Sequence, residues 1–302
     1  MTDLHVNIPS KPLYIDLHIH STASDGSLSP RALIKAAEDV PLRAMAITDH
    51  DTIDGSAEAL RHCQSTEVEI LSGVEISADF EAGAMHLLGY LFRLDDTRLG
   101  QALQIVQKSR AERNVKIIQR LQDLGIDIDY DEVSEVSGGG QVGRPHIAEV
   151  LVQKGVVRGI DEAFNTLLKK GGPAYVERYR LSPAEAIETI RGAGGVPVLG
   201  HPSTLNARTE AELDKIIAHL KEIGLQGVEA YYPTHGPDRT ALYERLAKRH
   251  GLLVTGGSDF HGAAKSGVHI GFGRGDLRIP YRLVEDLKQR AGFGPDSTIV
   301  PT

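Results

Sequence analysis

The chain has little of several residue types that usually signal function. Its 302 residues include one cysteine, six phenylalanines and no tryptophan. A single cysteine, Cys63, excludes an intramolecular disulfide and is typical of a reducing compartment. No apolar run is long enough to span a bilayer, and no basic segment followed by an apolar one precedes the first strand. We therefore expect a cytoplasmic protein with no membrane association.

Positive charge is also in short supply. The formal net charge is −8, which argues against a broad basic surface for nucleic acid. The few aromatic residues leave no obvious platform for stacking successive bases. We therefore expect no duplex DNA partner and no obligate protein partner. A polyanionic ligand would need a local cationic cluster or metal ions.

The segment from Tyr14 to Gly26 carries the first candidate metal ligands. Its first part alternates apolar and polar residues, the pattern of a strand with one buried face, so that Asp16, His18 and His20 point the same way. Two imidazoles two residues apart can close on one metal ion, and Asp25 in the following turn could add an oxygen ligand. A lone His-x-His pair more often marks a solvent-facing strand, so the rest of the chain decides between the two interpretations.

Six further strands are predicted, each followed by a helix or an insertion. They lie at 43–50, 67–77, 84–92, 195–202, 227–232 and 252–261. Ser29-Pro30 and Ser182-Pro183 are typical helix starts, with serine as N-cap and proline in the first turn. The pattern predicts an α/β protein with a seven-stranded parallel β/α barrel at 13–94 and 180–290. Residues 95–179 predict a mostly helical insertion.

Histidines and carboxylates collect where the predicted strands end. In β/α barrels the reactive groups sit at that face. Six imidazoles and three carboxylates exceed the needs of one tetrahedral zinc ion, so two or three divalent ions are expected, most simply Mn, with Zn, Fe or Mg as alternatives. The candidate ligands are His18, His20, Asp25, His50, Glu75, His86, His201, Asp259 and His261.

These motifs, which also include Thr48-Asp49-His50, Gly200-His201-Pro202 and Ser258-Asp259-x-His261, resemble those of the PHP (polymerase and histidinol phosphatase) superfamily in order and spacing. The resemblance implies a distorted seven-stranded barrel with a trinuclear metal centre that hydrolyses phosphoesters. By analogy, His18, His20, Glu75 and Asp259 hold one ion, and Glu75 bridges to a second held by His86 and His201. Asp25, His50 and His261 hold the third.

The hypothesis of a trinuclear metal centre implies a mechanism and a role for Asp16. Clustered divalent ions can supply a bridging hydroxide and neutralise charge on the phosphoryl oxygens. We expect such a hydroxide to attack phosphorus in line, with His201 and Asp25 as the catalytic residues and His201 or a metal-bound water as proton donor to the leaving oxygen. Asp16 is left without a metal and is predicted to orient a histidine.

The predicted insertion carries the candidate substrate-binding residues. Arg110 and Arg113 share one helix face, and Arg144 and His146 lie in a turn at a helix start, where free N–H groups favour anions. The stretches 109–114 and 143–146 resemble the nucleoside 3′,5′-bisphosphate phosphatase branch of the superfamily, which implies that the insertion 95–179 covers the active site. That resemblance implies removal of the 3′-phosphate from a substrate such as 3′-phosphoadenosine 5′-phosphate, and 5′-3′ trimming of short RNA.

Several alternatives stay open at this point. A histidinol-phosphate phosphatase would share the metal motifs but needs no second anion pocket. A polymerase-associated proofreading domain would normally belong to a much longer chain, and a non-catalytic metal-binding regulatory module would not need the full ligand set. Tyr231, Tyr232 and His235 either border the substrate or pack a loop.

Overall fold

A computed structural model describes residues 14–294, so the predicted first barrel residue, 13, lies outside the described range. These residues form an α/β fold with eight strands in two sheets. The strands are β1 Tyr14–Ile19, β2 Leu42–Ile47, β3 Glu69–Leu71, β4 Gly73–Ala78, β5 Met85–Tyr90, β6 Val196–Leu199, β7 Gly227–Tyr231 and β8 Leu253–Gly256.

The first sheet has the order β1-β2-β3 and is parallel throughout. The second has the order β4-β5-β6-β7-β8, and β5 runs antiparallel to both of its neighbours. Isolated bridges join His50 to Glu75 and Ile19 to Phe260, and so link the two sheets along both of their sides. The prediction of seven strands, all parallel, is therefore wrong in strand number and in the direction of β5.

Two local features explain the difference. The predicted strand 67–77 is interrupted at Ser72, whose hydroxyl donates to the carbonyl of Phe92 at 3.0 Å. At Gly73 a Cβ atom would lie 2.5 Å from the Ile47 carbonyl oxygen, so glycine permits the close approach at which the chain changes sheets. Residues 79–84 are too few for a helical crossover, so β5 can follow β4 only as an antiparallel neighbour.

Ten α-helices surround the sheets in the described part of the chain. They are α1 Pro30–Glu38, α2 Asp54–Arg61, α3 Thr97–Asp123, α4 Tyr130–Val136, α5 Arg144–Gln153, α6 Ile160–Ala163, α7 Pro183–Gly192, α8 Glu210–Glu222, α9 Pro237–Arg249 and α10 Arg282–Arg290. Both predicted serine caps are confirmed, since Ser29 Oγ accepts from the Ala32 N–H and Ser182 Oγ from that of Glu185. Among these helices none is both long and apolar enough to cross a bilayer.

Apolar side chains form cores on both faces of the sheets. A further cluster lies within the helical region between β5 and β6 and includes Ile117, Leu121, Ile147 and Leu151. A separate apolar cluster agrees with the predicted inserted subdomain, although its boundaries at 95 and 179 stay a prediction. The long helix α3 reaches from this cluster to the sheets, because Leu99, Leu103 and Val106 pack in the main core. Side chains on α3 are thus held against the strand ends.

Candidate metal centre

All nine predicted ligand residues lie together at one end of the sheets. They form four overlapping groups in which the ligand atoms of each group lie within 4.8 Å of one another. The groups are His18, His20 and Asp259; His18, Glu75 and His201; His50, Glu75 and His86; and His20, Asp25, His50 and His261.

Strand direction decides which residues reach this end. His50, His201 and Asp259 follow the ends of β2, β6 and β8. His86 stands near the start of β5, and because β5 is antiparallel its first residues lie beside the last residues of β4. The Gly200 N–H donates to the His86 carbonyl at 2.9 Å, which places the start of β5 next to the end of β6.

Glu75 occupies the middle of the cluster. Its Oε2 lies 3.1 Å from His20 Nε2, 3.1 Å from His50 Nδ1 and 3.3 Å from His18 Nε2. Its Oε1 lies 2.6 Å from His86 Nδ1 and 2.9 Å from His201 Nε2. Each oxygen therefore faces a different set of imidazoles, which is the arrangement that a bridging carboxylate requires. The division of ligands among individual ions stays a prediction.

The donor atoms fit divalent metal ions. His20 Nε2, His50 Nδ1 and Asp25 Oδ1 are buried without a hydrogen-bond partner among the described residues. Buried polar atoms normally have such partners, and convergent nitrogen and oxygen donors without thiolate suit Mn, Fe or Zn. The side chains thus leave unused ligand positions that point at one another.

Opposite charges face one another within the cluster. Burial lowers the pKa of His20, but the neighbouring carboxylates of Asp259 and Glu75 outweigh it and raise that pKa to about 10. Burial raises the pKa of Glu75, yet the charges of His50 and His86 leave it well below its usual range. Metal binding would release the protons on the imidazoles, so ion affinity is expected to weaken in acid.

A buried carboxylate orients the His18 ring and fixes the backbone at His201. Glu229 in β7 is fully buried, with Oε1 2.8 Å from His18 Nδ1. Its Oε2 accepts from the His201 N–H at 2.7 Å. Such outer partners fix the tautomer and direction of metal-ligating imidazoles. Sequence reasoning missed Glu229, although a glutamate between apolar residues of a buried strand is a usable signal.

Asp16 does not have the predicted role. Its carboxylate accepts from the Ser258 N–H at 2.8 Å, the Gly271 N–H at 2.7 Å and the His18 N–H at 3.3 Å. It therefore fixes backbone around the cluster and contacts no imidazole, and Glu229 takes the orienting role. Asp49 accepts from the hydroxyls of Ser21 and Ser24 at 2.6 Å each and so holds the loop that carries Asp25.

The backbone near the cluster is strained at three positions. Asp51, His201 and Asp259 have φ angles of 55°, 21° and 51°. Such a conformation in a residue other than glycine costs about 1–3 kcal/mol and persists only where the surroundings hold it in place. Three of them at the ends of β2, β6 and β8 indicate that side-chain placement here is accompanied by local strain.

A cationic cavity lies against the cluster. It has a volume of about 420 Å³, and Asp25, His50 and His86 form part of its wall. The lining also includes the carboxylates Asp79, Glu81 and Glu177 and a larger set of cationic side chains, Arg110, Arg113, Arg144, Lys169, Lys170, Arg178 and Arg180. Sequence analysis predicted the first three of these cations; the other four lie outside regular helical patterns and gave no signal.

His146 was predicted to bind substrate but does not line this cavity. Its Nδ1 accepts from the Gly143 N–H at 3.0 Å, so the imidazole closes the first turn of α5. Tyr231 donates to Glu244 at 2.6 Å, and His235 contacts the Ala230 carbonyl at 2.9 Å, which are packing roles. Of Tyr231, Tyr232 and His235, it is Tyr232 that hydrogen-bonds to the cluster, its hydroxyl donating to Asp259 Oδ2 at 2.6 Å.

Asp51 connects the cationic cavity to the cluster. Its side chain is fully buried and pairs with Arg110 and, at 3.0 Å, with Arg178. Burial raises the pKa of this carboxyl, but the two guanidinium charges leave it well below its usual range. The Asp51 N–H donates to the Glu75 carbonyl at 2.8 Å, so one residue ties both regions together.

Arg113 differs from its neighbours. It is 4% exposed, and its Nε and one terminal nitrogen have no hydrogen-bond partner among residues 14–294. Burial and the charges of Arg110 and Arg144 lower its pKa to about 8. A buried cation with free donors and cationic neighbours requires an anion, and a guanidinium binds phosphate through two donors at once.

Comparison with known proteins agrees with this geometry. A 5′-3′ exoribonuclease from Haemophilus influenzae is 36% identical over 82% of this chain and 89% of its own. A 3′,5′-nucleoside bisphosphate phosphatase from Chromobacterium violaceum is 32% identical over 85% of this chain and 90% of its own.

Structural similarity extends over the same range. A Bifidobacterium adolescentis protein named for metal-dependent phosphoesterase activity superposes with a TM-score of 0.81 at 29% identity, covering 93% of this chain and 97% of that one. The PHP domain model matches residues 16–260, which span nearly every member of the cluster. The chain therefore belongs to the PHP domain family, whose phosphoesterase motifs it carries as one buried cluster of histidines and carboxylates.

Proposed function

We propose that this phosphoesterase removes the 3′-phosphate of nucleoside 3′,5′-bisphosphates and leaves a nucleoside 5′-monophosphate. The observation that carries the proposal is one cavity lined both by the cluster residues Asp25, His50 and His86 and by the arginines. A substrate with one phosphate would use only the cluster. A bisphosphate uses both, because the phosphate that reacts and the phosphate that is retained need separate positive partners.

Different residues bind the retained phosphate and the phosphate that reacts. Arg113 and its cationic neighbours bind the retained 5′-phosphate and hold the nucleotide in register. Asp51 fixes Arg110 and Arg178 so that the pocket is formed before substrate arrives. The cluster around Glu75 holds two or three divalent ions, with Mn as the first candidate, and these supply charge neutralisation and an activated water when bound.

The proposed reaction is direct hydrolysis by water and needs no covalent enzyme intermediate. The oxygen of water bonds to phosphorus, the bond from phosphorus to O3′ breaks, and O3′ takes up a proton. His201 and Asp25, which both lie in the cluster, are the proposed catalytic residues, and His201 is the proposed proton donor. Free phosphate and the nucleoside 5′-monophosphate are the products.

The same bond cleavage supports a second activity, trimming of 5′-phosphorylated RNA from its 5′ end. The Haemophilus relative is named for 5′-3′ exoribonuclease activity and the Chromobacterium relative for bisphosphate hydrolysis.

The test is an assay of protein reconstituted with Mn on adenosine 3′,5′-bisphosphate, 5′-AMP, histidinol phosphate and a 5′-phosphorylated oligoribonucleotide. We expect the bisphosphate to have a kcat/KM at least about 10-fold above that of histidinol phosphate, one extra charge-assisted contact being worth about that factor. Equal values for these two substrates would reject the assignment and favour histidinol phosphate hydrolysis. No turnover of any substrate would favour a regulatory metal-binding role.

A further inference from the structure

Residues of the metal-ligand cluster also line a second cavity. It has a volume of about 340 Å³, within the range of small-ligand sites. Two residues of the helical region, Pro145 and Phe164, line both cavities and stand between them. The cluster residues that the two cavities share are Asp25, His50 and His86. The metal-ligand cluster thus borders two cavities.

The walls of this second cavity differ in chemistry from those of the first. They carry no arginine among the described residues, and Phe164, Ile160 and Tyr232 give them an apolar and aromatic character. The one lysine among those residues is Lys265, whose Nζ pairs with Asp259 Oδ2 at 2.5 Å and lies 3.3 Å from the Tyr232 hydroxyl. An aromatic ring in a largely apolar wall next to the cluster suits the flat base of a nucleotide.

The two candidate substrates need different amounts of space at the scissile phosphate. In a 3′,5′-bisphosphate the reacting phosphoryl group carries no further substituent, so the cationic cavity and the cluster suffice. In a phosphodiester, one oxygen of that group continues to the next nucleotide. That nucleotide must leave the cluster on the side away from the retained 5′-phosphate.

We propose that the second cavity binds the nucleotide that follows the scissile phosphate in a 5′-phosphorylated oligoribonucleotide. The inference rests on the proposed function, because it places the 5′-phosphate in the arginine cavity. The base of the second nucleotide stacks against Phe164, and the Tyr232, Asp259 and Lys265 group closes the other part of the cavity. The bond that breaks is again that between phosphorus and O3′, and the second nucleotide keeps the phosphate.

Blocking the cavity tests the proposal. Ala264 lines it and is exposed, so Ala264→Trp adds bulk without disturbing a core. Ala263 is its exposed neighbour and lines neither cavity, which makes Ala263→Trp the matched control. We expect Ala264→Trp to lower the ratio of kcat/KM for 5′-phosphorylated ApA to kcat/KM for adenosine 3′,5′-bisphosphate by at least about 10-fold, the size of one lost stacking contact. Ala263→Trp should leave the ratio within about two-fold.

A second measurement tests the base contact on the wild-type protein. A 5′-phosphorylated dinucleotide with an abasic second position should have a kcat/KM about 10-fold below that of the intact dinucleotide. If the ratio is the same in Ala264→Trp and Ala263→Trp, or if removal of the base has no effect on kcat/KM, the inference is wrong. If the bisphosphate itself is not hydrolysed, the proposed function has failed instead, so the two failures are distinct.

Discussion

The metal cluster and the arginine cavity are both buried, charged and adjacent, yet they are built in opposite ways. In the cluster, positive and negative groups alternate, and Glu75 alone faces five imidazoles. In the cavity, the cations outnumber their partners, and Asp51 pairs with two arginines while Arg113 has free donors among the described residues. The first region is nearly compensated from within, whereas in the second the cations exceed the lining carboxylates, which include Asp79, Glu81 and Glu177.

The difference indicates what each region does. A compensated cluster on the ends of rigid strands holds its geometry before an ion binds, as reaction chemistry requires. An uncompensated pocket on a helical segment gains its missing charge only from a ligand, as selective binding requires. Changes in the cluster should therefore affect every substrate, and changes in the cavity only those with a second phosphate.

Glu75→Gln should have the largest effect, because a glutamine side chain lacks the charge that the five imidazoles share. We expect kcat/KM to fall more than about 100-fold on bisphosphate and aryl phosphate alike, since even outer partners of metal ligands cost about 10- to 100-fold. Steady-state kinetics with metal analysis of the purified variant measure this. Glu244→Gln, which alters a carboxylate bonded to Tyr231, is the control, and a loss confined to the bisphosphate would break the comparison.

Glu229→Gln should have an intermediate effect on both substrates. The variant keeps the shape of the side chain but removes the charge that orients His18. We expect metal affinity to fall by about 10- to 100-fold and activity to recover at high metal concentration. Titration of activity with Mn distinguishes this from Glu75→Gln, which excess metal should not rescue. Unaltered metal affinity would show that Glu229 does not orient His18 for metal binding.

Arg113→Ala should change one substrate only. Loss of a charge-assisted contact is worth about 1.5–3 kcal/mol, so KM for adenosine 3′,5′-bisphosphate should rise about 10-fold or more. KM for p-nitrophenyl phosphate, which has no second phosphate, should stay within about two-fold. Lys116→Ala on the exposed face of α3 is the matched control. An equal rise for both substrates would show that the cavity supports the cluster and does not select the substrate.

Sulfate should stabilise the protein slightly in the absence of substrate. An anion at ten times its Kd adds about 1.4 kcal/mol to the free energy of unfolding, which corresponds to roughly 3 °C in Tm for a chain of this size. Thermal unfolding in sodium sulfate is compared with sodium chloride at equal ionic strength. The increment should disappear in Arg113→Ala, and its persistence there would place the anion elsewhere.

Most of the metal site was predictable, because its ligands stand at strand ends in a spacing that the sequence displays. His18, His50 and His201 were found from that position alone, before any distance was known. His86 was found although its strand runs in the unexpected direction, since an antiparallel strand starts where its neighbours end. Glu229 was missed because its role depends on contacts with β1 and the end of β6, which are remote in sequence.

The arginine cavity was less predictable. Arg110 and Arg113 could be paired from their helical spacing, but Arg178 and Arg180 lie in an irregular segment that gave no pattern. His146 was assigned to substrate from its place at a helix start; its Nδ1 accepts the Gly143 N–H, and substrate binding by this residue stays a prediction. A side chain at a helix end has several partners within reach, and only packing selects one.

The sequence by itself determined the ligand types, their order along the chain and the alternation of strand and helix, because these follow from local pattern and residue chemistry. Tertiary structure decided the two-sheet arrangement, the antiparallel β5 and the meeting of Asp51 with Arg110 and Arg178. It also decided that the cluster borders two cavities of different character. These features depend on close approaches such as that of Gly73 to Ile47 and on contacts between residues far apart in the chain, which no local pattern encodes.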